Sequence, residues 1–102
     1  MHKVLVIAVH PDDETLGCGG TILRHRENGD EVYWLIVTNI SAKYGYDRSR
    51  VRDRQKEIDR VRREYGFKDV FKLNMPAARL DQVPRQDLVE SVRKVVDSVK
   101  PD

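Results

Sequence analysis

The sequence predicts an α/β fold of Rossmann-like type, a parallel sheet in βαβαβα order with helices on both faces. Three observations carry this. Val4–Val9 and Val32–Val37 are uninterrupted apolar runs rich in β-branched residues, as strands buried on both faces are. Ser49–Tyr65 and the segment containing Leu88, Val92, Val95 and Val99 place apolar residues at helical spacing. The two kinds of segment alternate, and right-handed crossovers between such strands give a parallel, doubly wound sheet.

The first strand, Val4–Val9, is expected to be central. A helix from about Leu16 to Asn28 follows, where Leu16, Gly19, Gly20 and Leu23 allow close packing and Asn28-Gly29-Asp30 supplies the stop. Val32–Thr38 is the second strand. Asn39–Asp47 is polar and contains glycine, so it forms a loop at that strand's C-terminal end. The helix Ser49–Tyr65 buries Val51, Ile58, Val61 and Tyr65 and ends at Gly66. Asp69–Leu73 is a short third strand, Asn74–Pro84 a loop, and the last helix runs up to Pro101. The turn Lys100-Pro101-Asp102 would ordinarily lead into another strand, so residues 1–102 are expected to be the N-terminal part of one larger domain.

Composition narrows the function. With 102 residues there is room for one domain and a modest core. Both apolar runs are too short to span a bilayer, and the N-terminus does not resemble a signal peptide, so a cytoplasmic protein is expected. The single cysteine, Cys18, rules out an internal disulfide framework and is expected to pack between helix and sheet. A formal charge of +2 argues weakly for a polyanionic partner. The arginine-rich stretch from Arg48 to Arg63 is interleaved with acids, so that Asp59 can pair with Arg63 and Arg60 with Glu64. Without interleaved aromatics it points to a solvated helix face and no nucleic-acid partner.

The chemistry concentrates where the first strand ends, in Val9-His10-Pro11-Asp12-Asp13-Glu14. Ligands of open parallel sheets bind beyond the carboxyl ends of the strands. A dinucleotide's phosphate does not suit this place. Gly17 and Gly19 begin G-x-G but Ile22 stands at the third glycine, the three acids repel phosphate, and the second strand ends in Thr38-Asn39 rather than an acid for the ribose. Crowded carboxylates beside an imidazole instead suit a cation. The H-x-x-D spacing of His10 and Asp13 can bring one nitrogen and one oxygen to a single ion across a turn stiffened by Pro11, a mixed donor pair that favours Zn2+ or another first-row divalent metal. Asp12 is then placed to accept a proton from water. The competing reading, acids stabilised by a helix N-terminus, covers Glu14 but not His10 with two adjacent aspartates. His2 lies about 26 Å away along an extended strand and cannot share the ion. His25, more than two helical turns on, is expected to face solvent.

VHPDDE followed by a glycine-rich helix start resembles the A-H-P-D-D-E signature of the PIG-L/LmbE-like deacetylases, with Val9 in place of alanine. The resemblance extends over the chain, through the second strand ending at Thr38, Arg54-Gln55-Lys56-Glu57 as an R-x-x-E stretch, and the Leu80-Asp81 loop. It implies a zinc-dependent hydrolase that removes acetyl groups from N-acetylglucosamine-type amides of sugar conjugates. By position it implies His10 and Asp13 as metal ligands, Asp12 as general base, Arg54 as a substrate contact that could equally be a surface partner of Glu57, and Glu14 as a supporting or capping group. Two departures stand out. Ala77 occupies the place of a loop acid, leaving Asp81 as its nearest substitute, and the family's third metal ligand and neighbouring histidine lie beyond Asp102. The chain alone is therefore expected to bind metal weakly and to be poorly active. The alternative is a non-catalytic module that binds a ligand or partner subunit through its sheet edge, and a homo-oligomer is compatible with either.

Overall fold

A computed structural model describes the backbone of residues 1–102 and the side chains of all but Glu14 and Leu16. The expected packing of Leu16 and the supporting role of Glu14 therefore lie outside the described residues. Six main elements follow one another: β1 (Lys3–Ala8), α1 (Asp13–Glu27), β2 (Glu31–Asn39), α2 (Arg48–Tyr65), β3 (Asp69–Pro76) and α3 (Arg85–Val99), with short 3-10 turns at Ala42–Tyr44 and Leu80–Gln82. The strands make one parallel sheet in the order β1-β2-β3. Both steps across the sheet run the same way, so right-handed crossovers bring α1 and α2 to the same face. There Ile22 of α1 and Ile58 of α2 pack with Val6, Ala8, Trp34, Ile36 and Phe67. On the opposite face Val95 and Val99 of α3 pack with Leu35, flanked by Leu5, Tyr33 and Phe71.

The central strand is β2, whose residues Trp34, Leu35 and Ile36 are all essentially inaccessible to solvent although they alternate between faces. Within residues 1–102 the similar apolar run of β1 pairs with β2 alone, and Ile7 is 52 % and Val9 41 % exposed. On that face α3 reaches β1 through the cluster containing Leu5, and its Val96 lines a surface hollow with Leu5 and Ile7. The chain's last residue returns to β1: the Asp102 backbone N–H donates to the Lys3 carbonyl at 2.9 Å, and its carboxylate accepts the Lys3 N–H at 2.9 Å.

Helix ends follow the glycines. Gly29 adopts φ +79°, and around it Asn28, Gly29 and Asp30 donate backbone N–H groups to Arg24, Arg26 and His25. Gly66 ends α2 at φ +71°, with the Gly66 and Phe67 N–H groups both on the Arg62 carbonyl. The turn at Gly29 corrects the placement of His25. It folds Asp30 back beneath the end of α1, where the Asp30 carboxylate, 5 % exposed, meets His25 Nδ1 at 2.7 Å. On α2, Arg60 pairs with Glu64 at 4.0 Å as expected, whereas Asp59 accepts from the Gln55 amide at 3.0 Å.

The third strand runs past its expected end at Leu73. Between the pairs Ile36↔Lys72 and Thr38↔Met75 β3 advances one residue more than β2, and Asn74 takes φ +56° within this bulge. Pairing then resumes as far as Asn39↔Pro76. Helix α1 begins at Asp13, three residues earlier than expected, and departs from helical geometry at Cys18 (φ −148°). Cys18 itself packs against the core as expected.

Candidate active site

The His10–Asp13 turn occupies the short connection from β1 to α1, beyond the carboxyl end of the sheet. Its own backbone closes it: Asp13 N–H donates to the His10 carbonyl at 3.2 Å and Thr15 N–H to the Asp12 carbonyl at 3.1 Å. The Asp13 carboxylate turns back, accepting the His10 backbone N–H at 3.0 Å and lying 3.7 Å from His10 Nδ1. Asp12 stands at the N-cap position with φ +101°, a conformation uncommon for a residue with a side chain. Its carboxylate makes no capping hydrogen bond to the helix.

Two other elements reach the turn. Thr38, at the end of β2 and fully buried, donates both its backbone N–H (2.8 Å) and its hydroxyl (2.7 Å) to the Val9 carbonyl. From α2, the Arg54 guanidinium extends to the Pro11 carbonyl at 3.5 Å and to Glu57 at 3.9 Å. Arg54 thus joins the site and also makes the alternative surface pair. Together these residues line a hollow of about 220 Å³ with Asn39, Ile40 and Ala77.

The structure brings His10, Asp12 and Arg54 to this one hollow, with Asp13 in contact with His10. It does not bring Asp81, which lines a separate surface hollow beside Pro84 and Leu88. The reason is the 3-10 turn Leu80–Gln82, which starts the approach to α3 on the other face. Asp81 is therefore no substitute for an acid at Ala77. Asn39, which lines the same hollow as Ala77, donates its Nδ2 to Asn74 Oδ1 at 3.4 Å. Sequence reasoning did not single out Thr38 or Asn39 as site residues. Their signal was a break from apolar to polar character at the end of a buried strand.

The donor set can be tested against a metal. A nitrogen and an oxygen each about 2.0–2.2 Å from a tetrahedral zinc stand roughly 3.4 Å apart. The 3.7 Å between His10 Nδ1 and Asp13 Oδ2 is within a small side-chain rotation of that spacing. The spacing thus suits two donors to one ion, and among the described residues no group of three or more histidines, cysteines or acids could hold a metal.

The sequence matches the PIG-L family, described as GlcNAc-PI de-N-acetylase, over residues 5–102. The chain belongs to this family. Curated relatives include the 1D-myo-inositol 2-acetamido-2-deoxy-alpha-D-glucopyranoside deacetylases of Rhodococcus opacus and Rhodococcus jostii, each 47 % identical over 36 residues, which is 35 % of this chain and 12 % of theirs. Among solved structures, the N,N'-diacetylchitobiose deacetylase from Pyrococcus horikoshii superposes with a TM-score of 0.81 at 29 % identity, covering 99 % of this chain and 39 % of that one. The conserved protein TT1542 from Thermus thermophilus gives 0.76 at 31 % identity, covering 99 % of this chain and 44 % of its own. This chain thus spans less than half the length of these structural relatives. The 4-carboxy-2-hydroxymuconate hydratase GalB from Pseudomonas putida, at 22 % identity and a TM-score of 0.76, shares the fold alone.

Proposed function

We propose that this chain carries the first part of the active site of a metal-dependent hydrolase that removes the acetyl group from an N-acetylglucosamine-type amide. The observation that supports it most is the His10–Asp13 pair, 3.7 Å apart on a turn that also presents Asp12, in a chain of the PIG-L family. His10 and Asp13 would hold a divalent ion, most suitably zinc given one nitrogen and one oxygen donor. Bound there, such an ion supplies Lewis-acid polarisation of a carbonyl and acidifies water.

The chain's own residues do the rest of this half of the work. Asp12, in the same hollow, accepts the proton that water gives up on attacking the acetamide carbonyl. Arg54, half-buried at the rim, presents hydrogen-bond donors to sugar hydroxyls or an anionic aglycone. The Asn39 amide can donate to or accept from a hydroxyl on the facing wall. Protonation of the leaving amine needs a further acid.

Equilibrium dialysis of the chain against Zn2+, compared with His10→Ala, tests this reading. Saturable binding that is lost in His10→Ala is expected. Equal zinc uptake by the two proteins, or none by either, contradicts the metal-centre assignment and favours a non-catalytic ligand-binding module.

A further inference from the structure

We propose that Thr38 is a positioning residue for the metal-ligand turn, holding His10 in place through the Val9 carbonyl. The inference rests on the reading of His10 and Asp13 as ligands, although its structural half can be tested without metal. The Val9 carbonyl accepts two hydrogen bonds, from the Thr38 backbone N–H at 2.8 Å and from Thr38 Oγ1 at 2.7 Å. These can use both lone pairs of the oxygen, so the peptide plane between Val9 and His10 is fixed in rotation as well as in position. The His10 N and Cα lie in that same plane, so fixing it sets the point and axis from which the His10 side chain departs and aims the His10 N–H at the Asp13 carboxylate, 3.0 Å away.

The burial pattern separates this role from simple packing. Thr38 is 0 % exposed and is the buried polar residue of a core that is otherwise apolar among the described residues. A valine has the same branched shape and suits a strand equally well. The hydroxyl therefore adds nothing to the fold that valine would lack except the second bond to Val9. Burying a hydroxyl is unfavourable unless it is paired, and this one is paired to the atom that sets the direction of His10. The neighbouring bulge, where the β2–β3 register shifts between Ile36 and Thr38, lies at the same level of the sheet, where bulges commonly re-aim side chains at functional sites. Groups that orient a metal ligand from behind alter affinity by roughly 10- to 100-fold when removed.

The test compares wild type with Thr38→Val, Thr38→Ser and Ile36→Val, the last a core truncation on the same strand that leaves the Val9 carbonyl alone. Two readouts are taken: zinc affinity by competition with a chromophoric chelator, and hydrogen exchange of the His10 and Asp13 amides in metal-free protein. Both amides are hydrogen-bonded within the turn, at 3.0 and 3.2 Å. Thr38→Val is expected to weaken zinc binding roughly tenfold or more and to speed exchange at both amides. Thr38→Ser should restore both, and Ile36→Val should lower the thermal midpoint while leaving both unchanged. Wild-type exchange and affinity in Thr38→Val would overturn the inference, as would equal effects in Ile36→Val. If the wild type itself shows no His10-dependent zinc binding, the metal assignment fails, and the exchange rates alone decide whether Thr38 holds the turn.

Discussion

At Asp30 one carboxylate receives the His2 backbone N–H at 2.9 Å and faces His25 Nδ1 at 2.7 Å. The His25 hydrogen bond, followed by that from His2, holds its carboxyl below the usual carboxylate range. A carboxyl whose pKa is depressed in the folded state contributes stability above its unfolded value, about 3.9, and loses it as pH falls through the lower folded value. Asp30→Asn should therefore melt at a lower temperature than wild type near neutral pH, and the gap should close as pH drops from about 5 to about 2.5. A gap that stays constant over that range would show that the carboxylate's charge is not what stabilises the turn. Long-range partnerships of this kind were hard to read from sequence. His10, Asp12 and Asp13 were legible because they are contiguous and local spacing alone decides what they can share. Arg54 was less so, since it reaches Pro11 across 43 residues and only the packing of α2 decides whether it faces the site or Glu57. Thr38 was hidden because its hydroxyl acts from within a strand where threonine and valine look alike.

Secondary-structure elements were legible where one residue type was required. Gly66 ends α2 at φ +71°, and a Cβ built on it would stand 2.9 Å from Arg26 Nε. Arg26, in the last turn of α1, uses its guanidinium to donate to the Glu64 carbonyl at 2.6 Å, so the end of α1 caps the end of α2. Gly66→Ala combines left-handed backbone strain with displacement of that arginine. It is expected to cost about 1–2 kcal/mol in urea unfolding with an unchanged slope. Arg26→Ala should lose less, about 1 kcal/mol, because it removes the cap without the strain. Equal stability of Gly66→Ala and wild type would show that the turn at Gly66 relaxes freely. The third strand was less legible for the opposite reason. Asn74 and Pro76 resemble a loop, yet a bulge with Asn74 at φ +56° lets the ladder continue to Pro76. Sequence period carries no sign of a one-residue insertion that the partner strand tolerates.

For the whole molecule, the continuous apolar run of β1 correctly signalled a parallel sheet, since hydrophobicity records which faces a strand can bury. Among the described residues of this chain, β1 has β2 on one side and, on the other, Asp102 at the level of Lys3. Both the N–H and the C=O of Lys3 face Asp102, so strand alternation turns the backbone groups of Leu5 and Ile7 to the same open side. On the same strand and just past it, Ile7 is 52 % and Val9 41 % exposed. An edge that offers unpaired backbone groups next to apolar side chains is the ordinary origin of strand-to-strand association, and a lysine on it is the ordinary remedy. The chain should therefore show an average mass that rises above the monomer value with concentration in sedimentation velocity. Ile7→Lys should suppress the rise while keeping the helical circular-dichroism signal, since Ile7 is outside both core clusters. If Ile7→Lys associates as strongly as wild type, the contact lies elsewhere, and if wild type stays monomeric up to about 100 µM the edge is protected by its own twist and by Asp102.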